Sequence, residues 1–113
     1  MIIKKLYADD FLNHARFLQA FVQGKFNGRK WGANRIRQEL SFKGFSDSEI
    51  NDALGFIPEE EYEESLEKFA KEKMASLKEE DIFKKRAKAA AFLIRKGYEP
   101  EMVWEHLKSN YDN

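Results

Sequence analysis

Two histidines, His14 and His106, and no cysteine stand in a chain of 113 residues. Without a thiol there is no cysteine nucleophile, no Cys-ligated zinc and no disulfide framework. His14 follows Asn13, a good helix cap, and His106 falls late in a helical stretch, where the macrodipole favours a cation. A metal role is expected for neither. Gly28 and Gly32 do not make a phosphate-cradling loop. Acid pairs such as Glu60-Glu61 are plentiful, but they sit at a helix start and read as a solvated face. No catalytic residue, cofactor or metal is expected, and the chain reads as a non-enzyme.

Binding chemistry is better represented. Lys25, Arg29, Lys30, Arg35, Arg37 and Lys43 face one acid, Glu39, over residues 25–43. Lys84, Lys85, Arg86, Lys88, Arg95 and Lys96 face none over residues 84–96. Trp31 sits in the first set. It either stacks on a partner or anchors its loop to the core, and the anchor is the stronger reading. The chain carries 20 bases and 20 acids, a net charge of zero. That balance is a cancellation: residues 1–55 hold nine bases and six acids, residues 56–113 eleven and fourteen. An acidic partner is therefore not excluded. The competing reading is ordinary helix solvation, with the bases paired to the Glu-rich stretch 58–67.

Helices must position these side chains. Two prolines and six glycines suit long helices, and ten Phe, four Tyr and two Trp can fill a core. No run alternates convincingly with period two. The longest apolar run, Ala89–Ile94, is far short of the ~20 residues of a membrane span. The start, Met1-Ile2-Ile3-Lys4-Lys5, is too short an apolar stretch for a signal peptide, so a cytoplasmic protein is expected. Ile2, Ile3, Leu6 and Tyr7 form a short first stripe. Asn13 caps the next helix, with Leu12 and Phe17 as its staple, and Asn27-Gly28 breaks it. From Gly32 a helix buries Ile36 and Leu40, with Phe42 nearby, and stops at Gly44. Ser46 and Glu49 make a capping box for a third helix. A long helix runs from about Pro58 to Ser76, its acids at the positive end of the macrodipole. A fifth begins near residues 79–81, runs through Ile82, Phe83, Ala89, Ala90, Phe92 and Leu93 to Lys96, and ends at Gly97. The last starts at Glu99-Pro100 and buries Met102, Val103, all or part of Trp104, and Leu107.

Residues 35–54 echo residues 88–107 at an offset of 53, with Leu40/Leu93, Lys43/Lys96, Gly44/Gly97 and Leu54/Leu107 identical. Both copies read helix, base, glycine, aromatic, cap, helix. The glycine takes the left-handed position and the aromatic folds back on the helix. The expected fold is all-α, two tandem, helix-turn-helix-like three-helix repeats at 12–56 and 57–113 in one continuous domain. Residues 1–11 then read as the last helix of a truncated earlier repeat. Both basic clusters map to the middle helix of a repeat, and stacking could align them into one stripe.

The ordered set Phe11-Leu12-Asn13-His14-Ala15-Arg16-Phe17, Ala20-Phe21-Val22, Lys25-Phe26, Lys30-Trp31-Gly32, Ile36-Arg37-Gln38-Glu39-Leu40 and Lys43-Gly44-Phe45 resembles the second repeat of the RecX regulatory proteins. The Lys30-Trp31-Gly32 step is similar to the Bacteroidetes branch. Phe92-Leu93-Ile94-Arg95-Lys96-Gly97-Tyr98, with Val103, resembles the end of the third repeat. There are departures: Asn13-His14 stand where paired acids are frequent, and Asp10 where a glycine is common. The resemblance implies a cytoplasmic regulator that binds the RecA recombinase filament on single-stranded DNA and inhibits strand exchange and ATP hydrolysis. Non-specific DNA is implied as a second partner. A monomer is expected, with a dimer through Ile2, Ile3 and Leu6 as the alternative. Two rival functions remain at this point: a sequence-reading helix-turn-helix protein, and a generic helical interaction module. Against the first, Asp47-Ser48-Glu49-Ile50-Asn51-Asp52 would be the recognition helix, and its three acids would face phosphates.

Overall fold

A computed structural model describes residues 14–111. The Ile2/Ile3/Leu6 stripe, the Asn13 cap and the Leu12 side of the staple lie outside the described residues. Six helices follow one another: α1 (residues 14–24, prolonged by a wider turn Lys25–Arg29), α2 (Ala33–Phe42), α3 (Asp47–Leu54), α4 (Glu59–Ser76), α5 (Ile82–Lys96) and α6 (Pro100–Asn110). There are no strands among the described residues, and no helix there is long and apolar enough to cross a membrane.

Local chemistry sets most of the helix ends. The Ser46 hydroxyl accepts from the Glu49 amide and the Glu49 carboxylate accepts from the Ser46 amide, which closes the capping box of α3. That same Ser46 N–H holds the Glu49 carboxyl below its ordinary range. Asp81 caps α5 by accepting from the amides of Phe83 and Lys84. Pro100 opens α6, where its missing N–H costs nothing. The two glycine turns are alike. Gly44 and Gly97 have φ of 97° and 109°, and the amides of Phe45 and Tyr98 return to the carbonyls of Leu40 and Leu93, both at 3.2 Å.

One expected break is absent. Asn27-Gly28 does not end α1. The helix loosens into a turn in which the Lys30 amide reaches the Lys25 carbonyl, and Lys30, not a glycine, takes the left-handed conformation at φ 63°. The Trp31 amide also donates to Lys25 O, at 3.0 Å. This extra residue per turn lets Phe26 stay buried while the chain swings Trp31 back over Lys25. One further expectation is corrected, and one aromatic of α5 lies outside the core. Phe42 lies off the buried face of α2: it is two positions past Leu40, about 200° around the helix, and is 90% exposed. Phe83 is 73% exposed, because on the first turn of α5 it is Ile82 that packs on the core.

The interior has two centres. Leu18, Val22, Phe26, Ile36, Leu40, Ile50 and Ala53 form one among α1–α3. Leu66, Phe69, Ala70, Met74, Ala89, Ala90, Leu93, Tyr98, Val103 and Leu107 form the other among α4–α6. Tyr62 packs against both. It stacks on Phe26 at 5.9 Å and on Tyr98 at 5.2 Å, and Tyr98 meets Phe69 at 6.3 Å. An aromatic chain thus runs from one core to the other.

The backbone joins the two halves even more directly. The start of α2 has no side-chain cap. Its orphan amides go instead to the end of α5: Gly32 N–H donates to Lys96 O at 2.7 Å and Asn34 N–H to Gly97 O at 2.8 Å. The negative end of one helix dipole meets the positive end of the other. This approach requires glycine on both sides. A Cβ on Gly32 would stand 2.3 Å from Gly97 C, and one on Gly97 would stand 2.5 Å from Arg35 Cβ. We expect Gly32→Ala to lower unfolding stability by ~1–3 kcal/mol, the range of overpacked sites. Gly97→Ala adds strain at positive φ, of order 1–3 kcal/mol. Gly28→Ala meets nothing within 4 Å and should be near neutral. Thermal unfolding followed by far-UV circular dichroism checks this order; equal midpoints for Gly32→Ala and Gly28→Ala would refute the close packing.

Candidate functional site

The α2–α5 joint gathers three of the expected bases. Arg35 and Arg37 from α2 and Arg95 from the last turn of α5 line one open groove of about 970 Å³. Asn34, Gln38 and Phe42 line it too, with Glu39 and Asp47 as its acids. The Arg35 guanidinium lies 4.4 Å from the centre of the Trp31 ring, and Lys25 Nζ lies 4.9 Å from that ring. Trp31 is half-buried against the first core. It therefore anchors its loop and carries two cations on its faces. Arg37 donates to the Asn51 side-chain oxygen at 2.5 Å, which ties α2 to α3.

The other expected bases go elsewhere. Lys30 and Lys96 converge over the Phe69 ring at 5.2 and 5.6 Å. Lys30 there faces Glu61 and Glu64 of α4 across a shallow hollow. Lys43 lies 5.8 Å over Phe21, on the far end of α2. Lys88 pairs with Glu79 at 3.1 Å. Lys85 faces a hollow beside Lys71 and Tyr111. Arg86 is only 7% exposed, with its guanidinium 5.0 Å under the Phe83 ring. Lys84 and Arg29 are exposed. Lys84 and Lys88 thus share one side of α5 at i, i+4, while Lys85 and Arg86 turn away from it.

Two contributors escaped the sequence reading. Phe42 carries a signal in hindsight, an aromatic on the polar side of the Ile36/Leu40 row. Tyr62 shares the helical spacing of Leu66, Phe69 and Ala70 on α4, but its hydroxyl has a definite task. It accepts from the Ala33 amide at 2.9 Å and donates to the Glu99 carboxylate. Nothing in the local pattern of α4 shows that its partners come from two other helices. Burial pushes the Tyr62 hydroxyl far above its ordinary range, and Glu99 acts in the same direction. Burial also raises Tyr98, whose hydroxyl shares a 2.5 Å hydrogen bond with Ser65.

Residues 13–54 match the sequence model for RecX, second three-helix domain, and residues 59–107 that for RecX, third three-helix domain. The chain belongs to the RecX family. It is 29% identical over 102 residues to the regulatory protein RecX of Oceanobacillus iheyensis, covering 90% of this chain and 38% of that protein. It is 33% identical over 101 residues to that of Clostridium botulinum, covering 88% and 47%. To that of Pseudomonas putida it is 28% identical over 101 residues, covering 89% and 63%. The chain spans less than half the length of the first two relatives. No solved structure matches it significantly. In RecX terms, the arginine groove lies where the second three-helix domain meets the third.

The tyrosine joint gives a pH dependence with a definite sign. Unfolded tyrosines ionise near pH 10. Both hydroxyls hold their protons to higher pH when folded. Above that pH the folded state binds more protons, so stability present below about pH 10 is lost as pH rises. Tyr62→Phe should cost ~1–3 kcal/mol at neutral pH, because the Ala33 amide and the Glu99 carboxylate lose their partner. It should also flatten the loss between about pH 8 and pH 11 relative to the unmodified chain. Urea unfolding at both ends of that interval measures both effects; parallel losses would exclude Tyr62 as a source of the alkaline instability.

Proposed function

We propose that this chain is a cytoplasmic regulator that binds the RecA recombinase filament on single-stranded DNA and inhibits recombination and ATP hydrolysis, with non-specific DNA contact besides. It acts by binding and not by chemistry, within DNA repair and the SOS response. The observation that supports this best is the convergence of Arg35, Arg37 and Arg95 across the joint of two RecX domains. A guanidinium presents a planar fork that fits carboxylates and phosphates alike, which suits a filament made of protein and DNA. Two rigidly joined domains add modest contacts through effective concentration. The remaining bases, from Lys25 to Lys43 and from Lys84 to Lys96, supply the long-range field.

A sequence-reading helix-turn-helix role is disfavoured by α3. Its first turn carries Asp47 and Glu49, and Glu49 is committed to the capping box. Such a face repels phosphates, so DNA contact by this protein should be non-specific and salt-dependent.

The direct test adds the chain to RecA assembled on single-stranded DNA and follows ATP hydrolysis. Hydrolysis should fall as the chain is titrated. Reversing Arg35, Arg37 and Arg95 to Glu should demand at least about tenfold more protein for the same effect, since each desolvated charge contact is worth 2 kcal/mol or more. Reversing Lys85 and Lys88 should do less. Hydrolysis that is unchanged at saturating folded protein would sink the proposal. Equal potency of the arginine variant would leave the family role standing and remove the groove from it.

A further inference from the structure

Phe42 is the most exposed large apolar side chain among the described residues, at 90%, and it lies in the arginine groove. Helix geometry sets it there. Arg35, Gln38 and Phe42 stand at i, i+3 and i+7 on α2, so they share one face. Arg37 precedes Phe42 by five residues, about 7.5 Å of helix rise. The groove therefore has a guanidinium end and an aromatic end.

The packing of repeats does not account for this exposure. At the offset of 53, position 42 corresponds to Arg95, one residue before the base of the glycine turn in each copy. Around Gly97 that turn is packed against α2, yet Arg95 remains exposed. A unit seated on the equivalent Gly44 turn would leave position 42 open in the same way. Phe42 thus faces the groove and not a neighbouring repeat.

The chemistry of the groove favours one kind of occupant. Three arginines line the groove and suit a run of phosphates, with Arg35 held on the Trp31 ring and Arg37 bonded to Asn51 through one of its N–H groups. A bare phenyl face suits an unstacked base, which gains by stacking whatever its identity. Bases in a duplex are already stacked and cannot reach it. An acidic peptide would use the guanidiniums but would leave Phe42 without the enclosing pocket that a protein anchor needs. Glu39 and Asp47 also line the groove and repel phosphate. They keep the strand's backbone to the arginine side and leave a base to meet Phe42.

We propose that this groove binds a single strand of DNA, with phosphates on Arg35, Arg37 and Arg95 and a base stacked on Phe42. The site deepens the DNA-contact part of the function proposed above and needs no recombinase. The test is fluorescence anisotropy with a short fluorescein-labelled oligo-thymidylate, beside a hairpin duplex of equal phosphate number. Phe42→Ala should weaken strand binding about tenfold, within the range of base–aromatic stacking. Phe42→Trp should restore it. The same Phe42→Ala change should leave duplex binding, which uses phosphates alone, nearly unaltered. Triple reversal of the arginines to Glu should weaken both. Phe42 is solvent-exposed, so its variants should unfold at the temperature of the unmodified chain, which the same samples can confirm. No strand binding by the unmodified chain, equal strand affinity for Phe42→Ala, or equal losses on strand and duplex would each overturn the site. A Phe42→Ala chain that binds the strand normally but no longer slows filament ATP hydrolysis would make Phe42 a protein anchor, and would overturn it too. Filament hydrolysis with the unmodified chain separates the two readings, because it can succeed where strand binding fails.

Discussion

The architecture depends on one backbone contact, the seating of the first turn of α2 on the last turn of α5. A helix start without a side-chain cap leaves amides that must find acceptors, and a helix end leaves carbonyls that must find donors. Here each supplies the other, through Gly32 to Lys96 O and Asn34 to Gly97 O. Tyr62 completes the set by accepting from Ala33. The first turn of α2 is therefore satisfied by groups from the other half of the chain. Neither half meets its hydrogen-bonding needs alone, which is why the two cores behave as parts of one body although their apolar clusters are distinct.

This joint also organises charge. Cations here are held on aromatic faces more than by carboxylates. Lys25 and Arg35 lie on Trp31, Lys30 and Lys96 on Phe69, and Lys73 on Phe92. Among the described residues, an ion pair joins Lys88 to Glu79, and the His14 ring lies 4.0 Å from the Glu49 carboxylate. A cation on a ring keeps its charge unneutralised while its position is restricted. The net charge of zero therefore coexists with local positive fields, and the acids gathered at the start of α4 do not cancel the groove at the joint.

Much of this was legible in the sequence. Five of the helix boundaries follow from local signals: the Ser46/Glu49 box, Asp81, Pro100 and the two glycine turns write themselves in residue type. So did the internal repeat, because the matched Leu40 and Leu93 occupy the same buried place. The wide turn after α1 was not legible, since Lys30 has no propensity for the left-handed region and is put there by what surrounds it. The groove was half legible. The sequence assigns Arg35 and Arg37 to α2, about 200° apart around it, and only the joint sets Arg95 beside that helix. A stripe of all thirteen candidates, Trp31 among them, extrapolates from sequence proximity: the rotation of 100° per residue keeps Lys84 and Lys88 on one side of α5 but carries Lys85 and Arg86 away from it.

The two glycine turns show why such limits arise. Gly44 and Gly97 are indistinguishable in their local chain: base before, aromatic after, the same positive φ, the same returning hydrogen bond. Yet Gly44 has nothing within 4 Å of the place a Cβ would take, while Gly97 is pressed against Arg35 and Gly32. One glycine is required by its own backbone and the other by its backbone and by neighbours more than sixty positions away. Because that neighbour contact is made by main-chain atoms, it places few demands on the side chains that rim it. The arginine heads beyond Cβ are left free of the joint itself. A surface of this kind can change its charge and its aromatic content without loosening the union of the two domains, and this separates the chemistry of the groove from the stability of the fold that forms it.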